Sequence, residues 1–76
     1  MKEDAVITFY VDADKFDGFR TKIRAWLVAN RPTAGMSVFA EDGIIYVTSG
    51  SCLHEIIDDL IGDQVLAPTT ITYVID

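Results

Sequence analysis

Residues 48–57, TSGSCLHEII, hold the only cysteine and the only histidine of this 76-residue chain, Cys52 and His54. A Ser/Gly loop that opens onto a helix presents free backbone N–H groups, which attract anions. A cysteine in the first turn of that helix has its thiolate stabilised by the helix dipole, and a histidine in reach would serve as its base. The spacing works against this chemistry. Residues two apart on a helix point about 200° from one another, so Cys52 and His54 do not readily meet. The chain has no Gly-x-x-x-x-Gly-Lys-Ser/Thr phosphate loop and no arginine anywhere after Cys52. Each residue instead fits a helix start: Ser51 or Ser49 as cap, Gly50 for the sharp turn, Glu55 near the positive helix end and Cys52 as a small apolar filler. No catalytic residue is expected, and the protein reads as a non-enzyme.

Carboxylates are the second source of chemistry. Glu55, Asp58 and Asp59 fall on the polar side of the helix that follows, Asp63 lies just beyond, and Glu41-Asp42 sits in a turn. They lack the alternating oxygen ligands and the glycine of a calcium loop. One cysteine and one histidine cannot supply a zinc set. No metal and no cofactor is therefore expected. Asp58, Asp59 and Asp63 occupy the second half of a helix, where the macrodipole disfavours anions, and the local sequence offers no lysine against them. Residues kept at such a cost suggest a negative surface with a use.

The charge distribution supports that reading. Net charge is −6, but residues 1–31 hold all six cations against five acids, whereas residues 32–76 hold seven acids and no Lys or Arg. An asymmetry of this kind points to an electrostatic partner, and its sign makes the partner basic. No apolar run reaches the length of a membrane span, and no signal-peptide pattern opens the chain, so a cytoplasmic protein without membrane contact is expected.

The elements that must position these groups are legible. Residues 5–11, AVITFYV, are β-branched and aromatic and predict a strand. Residues 12–30 place Phe16, Phe19, Ile23, Trp26 and Leu27 at helical spacing, with Asp12 or Asp14 as cap and Pro32 as stop. The far side of that helix shows Gly18, Thr21, Ala25, Val28 and Ala29. Residues 35–49 predict a hairpin turning on Asp42-Gly43 as a two-residue loop. That turn sets Glu41 opposite Ile44, Ala40 opposite Ile45, Phe39 opposite Tyr46 and Val38 opposite Val47. A second helix over 51–63 buries Leu53, Ile56, Ile57, Leu60 and Ile61 and stops at Gly62. A last strand covers 69–75.

The order β-α-β-β-α-β in one domain, residues 1–76, predicts an α+β fold of the ferredoxin-like, split βαβ kind: a four-stranded antiparallel sheet with two helices on one face. Strands 5–11 and 44–49 are expected in the centre, and 36–41 and 69–75 at the edges. The helix-covered face should take Ile7, Phe9, Val11, Val38, Ile45, Val47, Ile71, Tyr73 and Ile75. The other face should show Val6, Thr8, Tyr10, Phe39, Tyr46, Thr48, Thr70, Thr72 and Val74, with Tyr10 and Tyr46 side by side. RNA-binding sheets place stacking aromatics in this manner, but they surround them with cations, and here strands two to four carry none. Direct nucleic-acid binding is not expected.

The reading that follows is a protein-binding module. Glu41, Asp42, Glu55, Asp58, Asp59 and Asp63 would steer and pair with Lys and Arg on a basic partner. Tyr10, Phe39 and Tyr46 would supply apolar anchors. Carboxylates on a scaffold imitate phosphates, so such a module could act as an inhibitor that occupies a nucleic-acid-binding protein, as phage and viral DNA mimics do. The alternative is a small-ligand-binding or regulatory domain that dimerises through its sheet, since the edge strand 69–75 has no charge to guard it.

Overall fold

The computed structural model describes residues 5–49, 53–67 and 71–75. Its elements are β1 (Ala5–Tyr10), α1 (Ala13–Asn30), β2 (Gly35–Phe39), a 3-10 turn (Ala40–Asp42), β3 (Ile44–Ser49), α2 (Leu53–Gly62) and β4 (Thr72–Ile75). The four strands form one antiparallel sheet in the order β2-β3-β1-β4. This is the α+β, ferredoxin-like arrangement that the β-α-β-β-α-β order dictates.

Period-two alternation divides the sheet into two faces. Ile7 and Phe9 of β1, and Ile45 and Val47 of β3, are fully buried in one cluster with Phe16, Ile23 and Leu27 of α1 and Leu53, Ile56 and Leu60 of α2. Both helices therefore cover the same face. Phe9 meets the Phe19 ring edge-on at 5.3 Å between centroids, and the Tyr73 ring lies tilted to it at 6.4 Å. Met36, Val38 and Ile75 are half-buried against this core.

The helix ends differ in detail from the expectation. Asp12 stands at the N-cap of α1 in extended conformation, but its side chain caps nothing, and the Asp12 carbonyl accepts from the Lys15 N–H instead. α2 stops at Gly62, yet the left-handed residue is Gln64, at φ 64°. Gln64 N–H donates to the Ile61 carbonyl at 3.1 Å and Val65 N–H to the Leu60 carbonyl at 2.9 Å. This is the paired-bond helix terminus that glycine usually provides. Ile61, expected in the buried stripe, is exposed.

Three expectations about the sheet are corrected. The hairpin does not turn on two residues. Ala40–Asp42 form a 3-10 turn and Gly43 closes it at φ +68°, so Phe39 pairs with Ile44, Val38 with Ile45 and Ser37 with Tyr46. An Asp-Gly loop of type I′ needs positive φ at both centres, and among the described residues Gln64 is the only non-glycine that has positive φ. The register thus moves by two places. Only an odd slip exchanges the faces of a strand, so every face assignment in the paired region holds; Ala40 leaves the strand. Secondly, Tyr10 pairs with Ile44 and Tyr46 with Thr8, so the two tyrosines are one pair apart rather than side by side. Thirdly, β4 is a four-residue strand, Thr72–Ile75, paired with Ile7–Tyr10. The expected positions 69 and 70, Thr70 among them, lie outside the described residues.

Candidate protein-contact surface

The sheet face away from the helices carries cross-strand rows fixed by the register. The row nearest the hairpin tip reads Phe39, Ile44, Tyr10 and Thr72, and the next reads Ser37, Tyr46, Thr8 and Val74. Phe39, Tyr10 and Val74 are nearly half exposed. Phe39 reaches diagonally to Tyr46, ring centroids 5.3 Å apart and planes at 74°, an edge-on contact of the favourable kind. Thr8 is only 5 % exposed although no helix covers it. It lies between Tyr46 and Val74 on its neighbours. The three expected anchors are thus brought onto one surface, with Ile44 as a fourth member. Sequence reasoning missed Ile44 because the two-residue turn set it against Glu41 rather than between two aromatic strands.

The acids at one end of this surface are fixed by the backbone. Val11 N–H donates to the Gly43 carbonyl at 2.8 Å, which fastens the hairpin tip to the end of β1. A Cβ at position 43 would stand 2.6 Å from the Val11 carbonyl oxygen, so the close approach requires glycine. The bond sets Asp12, next to Val11, beside Glu41 and Asp42 at the tip. All three are exposed and make no ion pair with described residues. An acidic rim therefore borders the row of Phe39, Ile44 and Tyr10. Asp12 was readable only as a helix cap, because its proximity to the tip is a tertiary fact.

The acids of α2 divide into two kinds. Glu55 and Asp58 are exposed, and their side chains bond to no described residue. Asp59 takes a 3.0 Å ion pair from Arg31, and Asp63 accepts a 2.6 Å hydrogen bond from the Trp26 indole N–H. The Arg31 guanidinium also lies 5.7 Å from the centre of the Trp26 ring. Anions at the negative end of a helix are disfavoured, but these two are held by donors at the end of α1. The cost that suggested a use in recognition is offset inside the molecule. Asp59 and Asp63 are also tied to the Asn30 end of α1, which leads into the Gly35 end of β2, whereas the hairpin tip lies at the other end of that strand. The six expected acids do not make one patch.

Cys52 lies outside the described residues. His54 is exposed in the first turn of α2. No group of three or more His, Cys, Asp or Glu side chains is placed to hold a metal ion among the described residues. No described helix is long and apolar enough to cross a membrane. Gly18, Thr21, Ala25 and Ala29 are exposed on the outer side of α1, with Val28, at 69 %, the most exposed large apolar residue among those described. Compared with family models, curated proteins and solved structures, the chain matches none.

Proposed function

We propose that this protein is a non-enzymatic binding module that docks its open sheet face and hairpin tip on a basic surface of a protein partner. One observation carries the reading: the apolar row of Phe39, Ile44 and Tyr10 ends in the rim of Asp12, Glu41 and Asp42. Apolar anchors in the centre with charge at the border is how protein interfaces are built. The carboxylates steer the encounter and the rings supply the contact area. Where the partner's basic surface otherwise holds nucleic acid, occupancy by this face inhibits it.

Capture on immobilised protein at low salt, followed by elution with rising salt, tests the proposal. Rim carboxylates act over a screening length of about 8–10 Å at physiological ionic strength, so a partner should elute well before high salt. The double variant Glu41→Gln/Asp42→Asn should capture less at every salt concentration, and Tyr10→Ala/Phe39→Ala should abolish capture. Glu55→Gln/Asp58→Asn, on the helix layer, should change little. Capture lost only in the helix variant would place the surface on α2 and overturn the sheet-face reading.

A further inference from the structure

The sheet has two edges, and neither described strand, β2 nor β4, carries a lysine or proline of the kind that prevents strand addition. β2 is GMSVF, without a charged side chain, and its alternate residues Gly35, Ser37 and Phe39 are exposed. Its two ends differ in charge. Beside the Gly35 end, a cleft of about 150 Å³ is lined by Arg24, Leu27, Arg31, Ala34 and Met36, among others. Arg31 is held by Asp59, while Arg24 has no ion pair with any described residue. Beyond the Phe39 end stand Glu41 and Asp42. The edge is cationic at its start and anionic at its finish.

We propose that β2 pairs antiparallel with β2 of a second copy of this chain, joining two sheets into one of eight strands. A two-fold axis through Ser37 brings each cationic end against the anionic end of the other copy, so the charges match twice. The side chains match as well. Gly35 then faces Phe39 of the second copy on the open side, and Met36 faces its Val38 on the helix side. Gly35 has no side chain to obstruct that ring, and a Cβ there would already stand 2.8 Å from the Thr48 hydroxyl. Phe39, 47 % exposed in one copy, lies over the bare glycine of the second copy and keeps its outer side on the open face. Two carboxylates meet one arginine at each contact, so the rim stays acidic, and both aromatic faces lie on one side of the joined sheet.

Sedimentation equilibrium on the purified protein tests this without any partner, so its outcome is independent of the binding function proposed above. The wild type should sediment at twice the 8.4 kDa of the chain. Arg24→Glu alone, and Glu41→Lys/Asp42→Lys alone, should each dissociate at least about tenfold more readily, since symmetry repeats each repulsion. Mixed in equal amounts, the two variants should recover the wild-type association, because every contact in the mixed dimer again joins opposite charges. All three replaced side chains are exposed, and unchanged far-UV circular dichroism checks that the variants fold. A wild type of single-chain mass at all concentrations overturns the proposal. So does a dimer that neither variant weakens; loss of that dimer in Thr72→Lys would assign it to the β4 edge.

Discussion

Removing the Asp63 carboxylate separates structural acids from available ones. Asp63 accepts the Trp26 indole N–H at 2.6 Å in a partly buried contact, and Trp26 itself is only 8 % exposed. A hydrogen bond to a charged group contributes about 1.5–3 kcal/mol. Against this, an anion at a helix C-terminus costs about 0.3–1 kcal/mol, which its removal returns. Asp63→Ala should therefore destabilise the fold by roughly 1–2 kcal/mol. For a domain of this size each kcal/mol lowers the melting temperature by about 4–8 °C, so the loss is easily read. Asp58, on the same helix but unbonded, provides the control: Asp58→Asn should be neutral or stabilising by a few tenths of a kcal/mol. Thermal melts followed by far-UV circular dichroism measure both, and the emission of Trp26, the single tryptophan, follows the same transition. Equal melting of Asp63→Ala and wild type, or an equal loss in Asp58→Asn, would refute the division of the α2 acids.

Other outcomes follow from the backbone and the ion pair. Gln64→Gly should stabilise by about 0.5–1 kcal/mol, because relief of a left-handed residue gives about 1–2 kcal/mol and the freer unfolded chain takes back about 0.4–1 kcal/mol; a lower urea midpoint than wild type would contradict it. Gly43→Ala should cost at least about 2 kcal/mol, adding the left-handed penalty to a disturbed Val11–Gly43 hydrogen bond, with the denaturant slope unchanged. Asp59→Asn should shift stability by less than about 1 kcal/mol, since its pair with Arg31 is solvent-exposed, and added salt should shrink the difference further.

The topology was legible because each element declares itself locally. β1 is a run of β-branched and aromatic residues, α1 repeats its apolar residues at 3.6 spacing until Pro32, and α2 does the same over ten residues. Strand order then follows from handedness and short connections. The face of each strand residue was legible too, and survived a wrong turn because the error in register was even. What the sequence hid is tertiary. The choice between a two-residue turn and a 3-10 turn closed by Gly43 depends on Val11, which fastens the tip from another strand. The roles of Asp59 and Asp63 depend on Arg31 and Trp26, 28 and 37 positions away. The open face of the sheet was therefore legible at Tyr10, Phe39 and Tyr46, which the register does place on one side, and incompletely legible at Ile44 and Asp12.

The uneven charge of the chain becomes a spatial pattern rather than a source of stability. Lys15, Arg20, Lys22 and Arg24 are all exposed along α1, and among the described residues only Arg31 reaches an acid on another element. One exposed pair contributes less than about 1 kcal/mol. The fold is held instead by Ile7, Phe9, Ile23, Ile45, Val47, Ile56 and Leu60, all at 0 % exposure, where each large apolar side chain contributes about 1.5–3 kcal/mol. Apart from Asp63, which holds Trp26, and the Asp59–Arg31 pair, the charged side chains of the described residues reach no other element and face solvent. Here they are arranged with opposite signs at the two ends of an unguarded strand and with acids around an aromatic row. The two contacts proposed above, with a basic partner and with a second copy of the chain, rest on these two patterns.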